Sequence, residues 1–254
     1  MTLIYEPTGR AREYAALACN IYKGCAHGCE YCFAPGATHR TREEFSQPAP
    51  RFNTFLPDLH FEAIKRLNAG KNGRVLLCFT CDPYQPLDDE LKLTRETIRI
   101  LHRQGHKVTV LTKGGKRALR DLDLFTPADA FATTLTFLDA DESRLWEPGA
   151  ALPFERIETI KEFDQSGIPT WVSLEPVIEP ETSLELIRLT HTFVGAYKVG
   201  TLNHHPLAKT IDWRKFAADA VELLDSLGYG RQKDPDKLGL AEYYIKRDLA
   251  RWLE

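Results

Sequence analysis

Residues 17–33 read LACNIYKGCAHGCEYCF, and the rest of the chain is best read outward from them. Positions 17–22 form an apolar run of strand length that leads straight into three closely spaced cysteines, Cys25, Cys29 and Cys32. Their C-x3-C-x2-C spacing is chemically informative. Three thiolates so arranged can hold three corners of a four-iron, four-sulfur cubane and leave the fourth iron without a protein ligand. A cluster closed by four ligands passes electrons, whereas an open corner is where a small molecule can chelate and react. The alternative is a zinc site with His27 or His39 as fourth ligand, although structural zinc favours paired C-x2-C elements brought from separate turns.

Beyond the cysteines, short apolar runs alternate with amphipathic ones. The pattern predicts helices over 58–68, 91–104, 116–124, 153–165, 183–190, 212–227 and 240–253. It predicts strands over 74–80, 107–112, 130–137, 171–174 and 193–199. Six successive strand-then-helix units imply parallel strands joined by right-handed crossovers. Six are fewer than a closed eight-unit barrel needs, so the expected architecture is α/β, a partial (β/α)6 TIM-like barrel of parallel strands. One domain over 1–254 is expected, with the core barrel at about 14–227 and a helical extension over 228–254. In such sheets the chemistry lies beyond the carboxyl ends of the strands. Cys81 and Asp82 follow the second strand, Lys113 the third, Glu175 the fifth, and the 200–205 loop the sixth, so all should converge on one mouth.

Composition narrows the class without naming a partner. With 43% hydrophobic and 27% charged residues and a net charge of −3, the chain lacks the basic character of a nucleic-acid-binding domain. A local patch would suffice. Arg40, Arg42 and Arg51 follow the cysteine loop, Lys113, Lys116, Arg117 and Arg120 sit on the third unit, and His204 and His205 on the sixth. Glu43, Glu44, Asp121 and Asp123 are interleaved with them, which equally describes ordinary mixed-charge helix surfaces. No apolar run approaches a membrane span, and the first residues lack a charged-then-apolar leader pattern. Clustered cysteines argue against a disulfide framework, so a cytoplasmic protein in a reducing compartment, not at a membrane, is expected.

The cysteine loop resembles that of radical S-adenosylmethionine (SAM) enzymes, in which C-x3-C-x2-C binds a 4Fe-4S cluster and SAM chelates the open iron. Tyr31, just before the third cysteine, matches the aromatic position whose backbone lies against the adenine. Residues 79–86, Phe-Thr-Cys-Asp-Pro-Tyr-Gln-Pro, are similar to the Thr-x-Asp-Pro-Tyr element of the spore photoproduct lyase-like (DNA repair photolyase-like) branch. Thr112-Lys113 followed by residues 119–124 is similar to that branch's third-strand segment. The likeness covers about the first 200 residues.

What the resemblance implies can be set beside the plain reading of each residue. Asp82 would accept from the SAM ammonium or ribose, or else initiate a turn before Pro83. Lys113 would bind the SAM carboxylate, or else end a solvated strand. Thr134 lies near a position that touches SAM in the lyases, and Glu175 would anchor a ribose hydroxyl or simply close the fifth strand. Cys81 would return a hydrogen atom to a product radical, and Tyr84 is a phenol near the mouth, or a packed residue on the barrel rim. In a strand Cys78 and Cys81 would face opposite sides, leaving Cys78 an inert buried thiol; an auxiliary metal site shared with Cys19 would need three scattered thiols to meet. Two departures stand out. The lyases place a cysteine at the position of Phe79 and a tyrosine at that of Phe33, and this chain can relay no hydrogen through either.

The resemblance implies an enzyme that takes an electron from a flavodoxin- or ferredoxin-type donor and cleaves SAM to methionine and a 5′-deoxyadenosyl radical. That radical would abstract hydrogen from substrate, by resemblance a thymine-derived base in DNA undergoing repair or rearrangement. A peptide, RNA or small-molecule substrate is the first alternative. A non-catalytic metal-binding module that contacts nucleic acid is the second.

Overall fold

The computed structural model describes residues 2–203 and 205–254. Its strands in chain order are β1 (Ile4–Tyr5), β2 (Leu17–Cys19), β3 (Tyr22–Lys23), β4 (Ala49–Pro50), β5 (Arg74–Leu77), β6 (Lys107–Thr112), β7 (Ala130–Thr134), β8 (Thr170–Leu174), β9 (Ala196–Val199), β10 (Gly230–Arg231) and β11 (Glu242–Ile245). Nine of them form one open sheet in the order β1-β2-β5-β6-β7-β8-β9-β11-β10. Every neighbouring pair is parallel except β1 with β2. The six expected strands are present, in order, as the partial barrel that alternating strands and helices require. Every residue of β7, β8 and β9 is buried, as suits parallel strands covered on both faces.

Packing against the helices fixes the sheet. Phe131 of β7 stacks on Phe163 of the helix Pro153–Gln165, with ring centroids 3.7 Å apart and planes 4° from parallel. Phe125 meets Phe163 edge-on at 5.0 Å. Burying each such ring contributes about 1.5–3 kcal/mol. Long loops at the carboxyl ends are therefore carried on a rigid frame.

Several boundaries differ from the sequence pattern, for physical reasons. The run 17–22 is divided, because the Asn20 side chain interrupts it: its Oδ1 accepts from the backbone N of Phe79 (2.7 Å) and Thr80 (2.9 Å). β3 then pairs with β4 as a separate two-stranded ribbon beneath the cysteine loop. The run 74–80 stops as a strand at Leu77, so residues 78–82 form a loop. The helix expected over 91–104 starts earlier and is broken at Lys92 (φ 52°) into Pro86–Leu91 and Leu93–Arg103. Residues 115–124 wind as a 3-10 helix.

The largest correction is at the C-terminus. The helix expected over 240–253 is instead β11, parallel to β9, followed by the short helix Arg247–Ala250. Glu-Tyr-Tyr-Ile carries aromatic and β-branched residues that favour a strand, and the edge of β9 offers unpaired backbone groups. The Tyr243 and Tyr244 hydroxyls donate to Asp225 and Glu13, each at 2.8 Å, which holds the added strand in register. Segment 228–254 thus extends the sheet rather than forming a helical appendage.

Candidate active site

The cysteine loop is held largely through its backbone. Gly24 turns it with φ +81°, and a Cβ there would stand 2.4 Å from the Phe45 carbonyl oxygen. Cys25 N donates to that same oxygen at 2.8 Å. Gln85, fully buried, accepts from Ala26 N (2.9 Å) and donates to Gly24 O (3.3 Å). Arg42 donates to the carbonyls of Cys29 (3.2 Å) and Glu30. From the far side, residues 146–149 strap the loop: Glu30 N donates to Trp146 O (2.9 Å) and Gly149 N to His27 O (2.8 Å). The approach is so close that a Cβ on Gly149 would lie 2.3 Å from Ala26 O.

Cys25, Cys29 and Cys32 line one cavity of about 360 Å³ at the carboxyl ends of the strands. Asp82, Lys113 and Glu175 line it too, after β5, β6 and β8 respectively, as does Thr134 at the end of β7. The convergence expected from strand order is therefore realised.

Two charge networks shape the walls. In the first, Glu147 and Arg156, 0% and 1% exposed at their side chains, form an ion pair. Arg156 also donates to Ala151 O (2.7 Å) and Thr134 O (3.1 Å), and the Tyr31 hydroxyl donates to Glu147. Lys113 Nζ stands 3.6 Å from Glu147, 3.6 Å from Cys29 Sγ and 4.8 Å from the Tyr31 ring centre. Burial pushes the Glu147 carboxyl up, but Arg156 and Lys113 outweigh it and hold it below its ordinary value. In the second, Glu175 accepts from Lys246, from the Tyr14 hydroxyl (2.5 Å) and from Asn203 (3.3 Å). Gly200 leaves room for it, because a Cβ there would lie 2.8 Å from the Glu175 carboxyl carbon.

The expected site residues are not all placed alike. Asp82 borders the cavity with both oxygens engaged: Oδ1 accepts from Tyr84 N (2.9 Å) and Thr112 Oγ1 (2.6 Å), and Oδ2 from Lys113 N (2.7 Å). It clamps two strand ends together as well as facing the site. Tyr31 points its ring under Lys113 and stacks on Trp146 at 6.5 Å. Tyr84 is a correction: it is fully buried, lies outside the cavity lining, and donates to Asp121 at 3.1 Å beneath the Arg120 guanidinium. Cys78 and Cys81 are another. Because the strand ends at Leu77, both line the cavity rather than facing opposite sides.

Phe33 and Phe79, the two departures, form one continuous aromatic wall with Tyr14; their rings lie 5.4 Å apart, and Phe79 meets Tyr14 at 5.8 Å. The basic cluster of the third unit is neutralised: Lys116 pairs with Glu158 (2.8 Å), Arg117 with Asp89 (3.2 Å), and Arg120 with Asp88 and Asp89. His205 packs on Trp146, whereas His204 lies outside the described residues. Sequence reading missed Glu147, Arg156, Gln85 and Lys246. The helix Ala140–Trp146 that delivers Glu147 did carry a signal, since Asp139 caps it by accepting from Asp141 N and Glu142 N.

The donor set suits a cubane. In a cubane each thiolate binds a separate iron, and Cys25, Cys29 and Cys32 line one cavity that has room beside them. His27 is buried against Asp82, with Nδ1 3.5 Å from it, and burial lowers its pKa to about 4. Burial also pushes the thiols of Cys25 and Cys29 up, so metal binding there releases protons.

Comparison with known proteins agrees with this geometry. Residues 19–192 match the family described as the radical SAM superfamily. An uncharacterized protein of Methanocaldococcus jannaschii is 28% identical over 189 residues, 72% of this chain and 69% of that one. An uncharacterized protein of Mycobacterium tuberculosis is 29% identical over 169 residues, 63% of this chain and 48% of that one, so the chain matches about half the length of that relative. A spore photoproduct lyase mutant with bound AdoMet and dinucleoside spore photoproduct superposes with a TM-score of 0.66 at 14% identity, over 91% of this chain and 76% of that one. Streptococcus suis SuiB bound to S-adenosylmethionine superposes with a TM-score of 0.59 at 13% identity, over 83% of this chain and 47% of that one. At such identities the two structures establish the shared fold: a mostly parallel α/β sheet of the partial-barrel kind.

Proposed function

Because this chain belongs to the radical SAM superfamily, whose cofactors are a 4Fe-4S cluster and SAM, we propose that Cys25, Cys29 and Cys32 hold the cluster and that the enzyme removes hydrogen from a thymine-derived base in DNA. When bound and reduced by one electron, the two cofactors supply a 5′-deoxyadenosyl radical. The chain's own residues orient and enclose that chemistry. The observation that carries the reading is the meeting of three thiols with Asp82, Lys113, Thr134 and Glu175 in one cavity at the strand ends.

Individual roles follow from position. Glu175, oriented by Lys246 and Tyr14, presents its remaining acceptor capacity to a ribose hydroxyl. Thr134 and the backbone beside Tyr31 border the same space, and Asp82 fixes the wall between Thr112 and Lys113. Cys81 lines the same cavity, placed to give a hydrogen atom to a carbon-centred substrate radical, which would leave a thiyl radical on its sulfur to be quenched by hydrogen return from 5′-deoxyadenosine. The Phe33–Phe79–Tyr14 wall favours a flat base, which stacks on aromatic faces whatever its sequence context. With Lys116, Arg117 and Arg120 already paired, contact would come through an extruded base rather than a long backbone-tracking groove. The same ion pairs favour a second reading, a peptide or small-molecule substrate that brings few phosphates. Electrons would come from a flavodoxin- or ferredoxin-type donor.

The test is anaerobic reconstitution followed by assays of iron, sulfide and dithionite-driven release of 5′-deoxyadenosine. Wild type should release it and Cys29→Ala should fall to background. Ultraviolet-irradiated or modified thymine oligonucleotides should raise the rate and take up solvent deuterium in a base. A zinc-loaded protein, or a cluster whose spectrum ignores SAM, would refute the enzyme reading. Stimulation by peptide but not by DNA would refute the DNA substrate alone.

A further inference from the structure

Lys113 is confined at both its backbone and its ammonium. Its backbone is fixed on both sides, with N donating to Asp82 Oδ2 (2.7 Å) and O accepting from Ala151 N (2.9 Å). Its ammonium lies 3.6 Å from Cys29 Sγ, with Glu147 and the Tyr31 ring confining it from other directions. Glu147 cannot drift, since it is fully buried between Arg156 and the Tyr31 hydroxyl. Arg156 is in turn tied to two backbone carbonyls, Ala151 and Thr134. Summed over Arg156, Glu147 and Lys113, this assembly presents one net positive charge to a sulfur that would ligate the cluster.

We propose that Lys113 sets the reduction potential of the cluster through Cys29, with Glu147, Arg156 and Tyr31 as the frame that aims it. Reduction adds negative charge that spreads onto the ligand sulfurs, and a donor cation at one sulfur favours the reduced form. A partly buried ammonium acts more strongly than an exposed one, because little water screens it. This role differs from binding the SAM carboxylate, which would change SAM affinity and leave the potential of SAM-free protein alone. It rests on the cluster-holding reading above.

The experiment is an anaerobic redox titration, followed by electron paramagnetic resonance, of cluster-loaded protein without SAM. Wild type is compared with Lys113→Met, Lys113→Gln and Lys113→Arg, and SAM binding is measured separately. At a fixed solution potential the ratio of reduced to oxidised cluster should fall roughly tenfold in Lys113→Met and Lys113→Gln, a shift of about 59 mV for one electron. Lys113→Arg, which keeps the charge, should stay near wild type. Unchanged midpoints in both neutral variants, with SAM affinity reduced, would overturn the proposal in favour of carboxylate binding. Should wild type itself hold no four-iron cluster, the function reading fails first, so the two failures are distinct.

Discussion

Replacing Glu147 by Gln should be among the most destabilising single changes in this chain. The Arg156 guanidinium is 1% exposed and its only carboxylate partner among the described residues is Glu147. Removing one member of a buried pair leaves the other charge without compensation, at a cost of about 3–5 kcal/mol. For a domain of this size each kcal/mol lowers the melting temperature by about 2–4 °C, so Glu147→Gln should melt roughly 6–20 °C below wild type. The double variant Glu147→Gln/Arg156→Met removes the stranded charge as well and should recover more than half of that loss. An exposed pair supplies the contrast: Lys215→Ala, which breaks the contact with Asp219, should shift melting by about 2 °C or less. The assay is thermal unfolding of the full chain by circular dichroism at pH 7. A Glu147→Gln melt within about 2 °C of wild type, or a double variant worse than either single one, would refute the claim that a buried ion pair frames the site.

Two further predictions concern the frame around the site. Asp88 is fully buried, and burial raises its pKa to about 6 against hydrogen bonds from Tyr22 and Thr94 and the charge of Arg120. Its protonated form is thus the better tolerated one. The contribution is present below the unfolded value of about 3.9 and is lost as pH rises through about 6. Asp88→Asn should therefore gain on wild type by about 2 kcal/mol between pH 4 and pH 7.5 in urea unfolding, and parallel pH profiles would contradict this. Gly149→Ala forces a methyl to 2.3 Å from Ala26 O, so it should lower stability by about 1–3 kcal/mol and reduce the iron retained on reconstitution. Gly36→Ala, with nothing within 4 Å, is the control expected to keep its iron.

What the sequence disclosed and what it concealed divide along physical lines. Strands such as β6 and β8 are legible because they are short runs rich in Val, Thr, Trp and Leu set between helical patterns, and the cysteine loop is legible because its ligands are neighbours in sequence. Glu147 and Arg156 were hidden because nothing local distinguishes a buried ion pair from two surface charges. They are buried where residues 146–151 dock on the cysteine loop and on Lys113, a tertiary event that local sequence does not show. The C-terminal strand was hidden for a related reason. Residues 242–253 mix apolar and charged positions at a spacing that also suits a helix, and the deciding partner, β9, lies more than 40 residues upstream. Cys78 followed the same logic: it faces the cavity because Asn20, 59 residues from Phe79, captures the backbone and ends the strand early.

The placement of the cavity walls bears on how far relatives can be used to guess a substrate. The family match spans 19–192, and the three cysteines, Asp82, Lys113, Thr134 and Glu175 all lie within it. Much of the opposite wall lies outside that span: Arg10 and Tyr14 from the N-terminal segment, Asn203 from the loop after β9, and Lys246 after β11. These outer pieces are stapled together, with Arg10 on Asp248 (2.6 Å), Lys198 donating to Glu13 O (2.7 Å) and Tyr14 O (3.0 Å), and Arg247 N donating to Glu13 (2.8 Å). That wall also reaches back into the core: Tyr14, Lys246 and Asn203 all donate to Glu175, and Tyr14 packs on Phe79. Because so much of the wall is built from outside residues 19–192, a shared core argues for shared cofactor chemistry far more strongly than for a shared substrate.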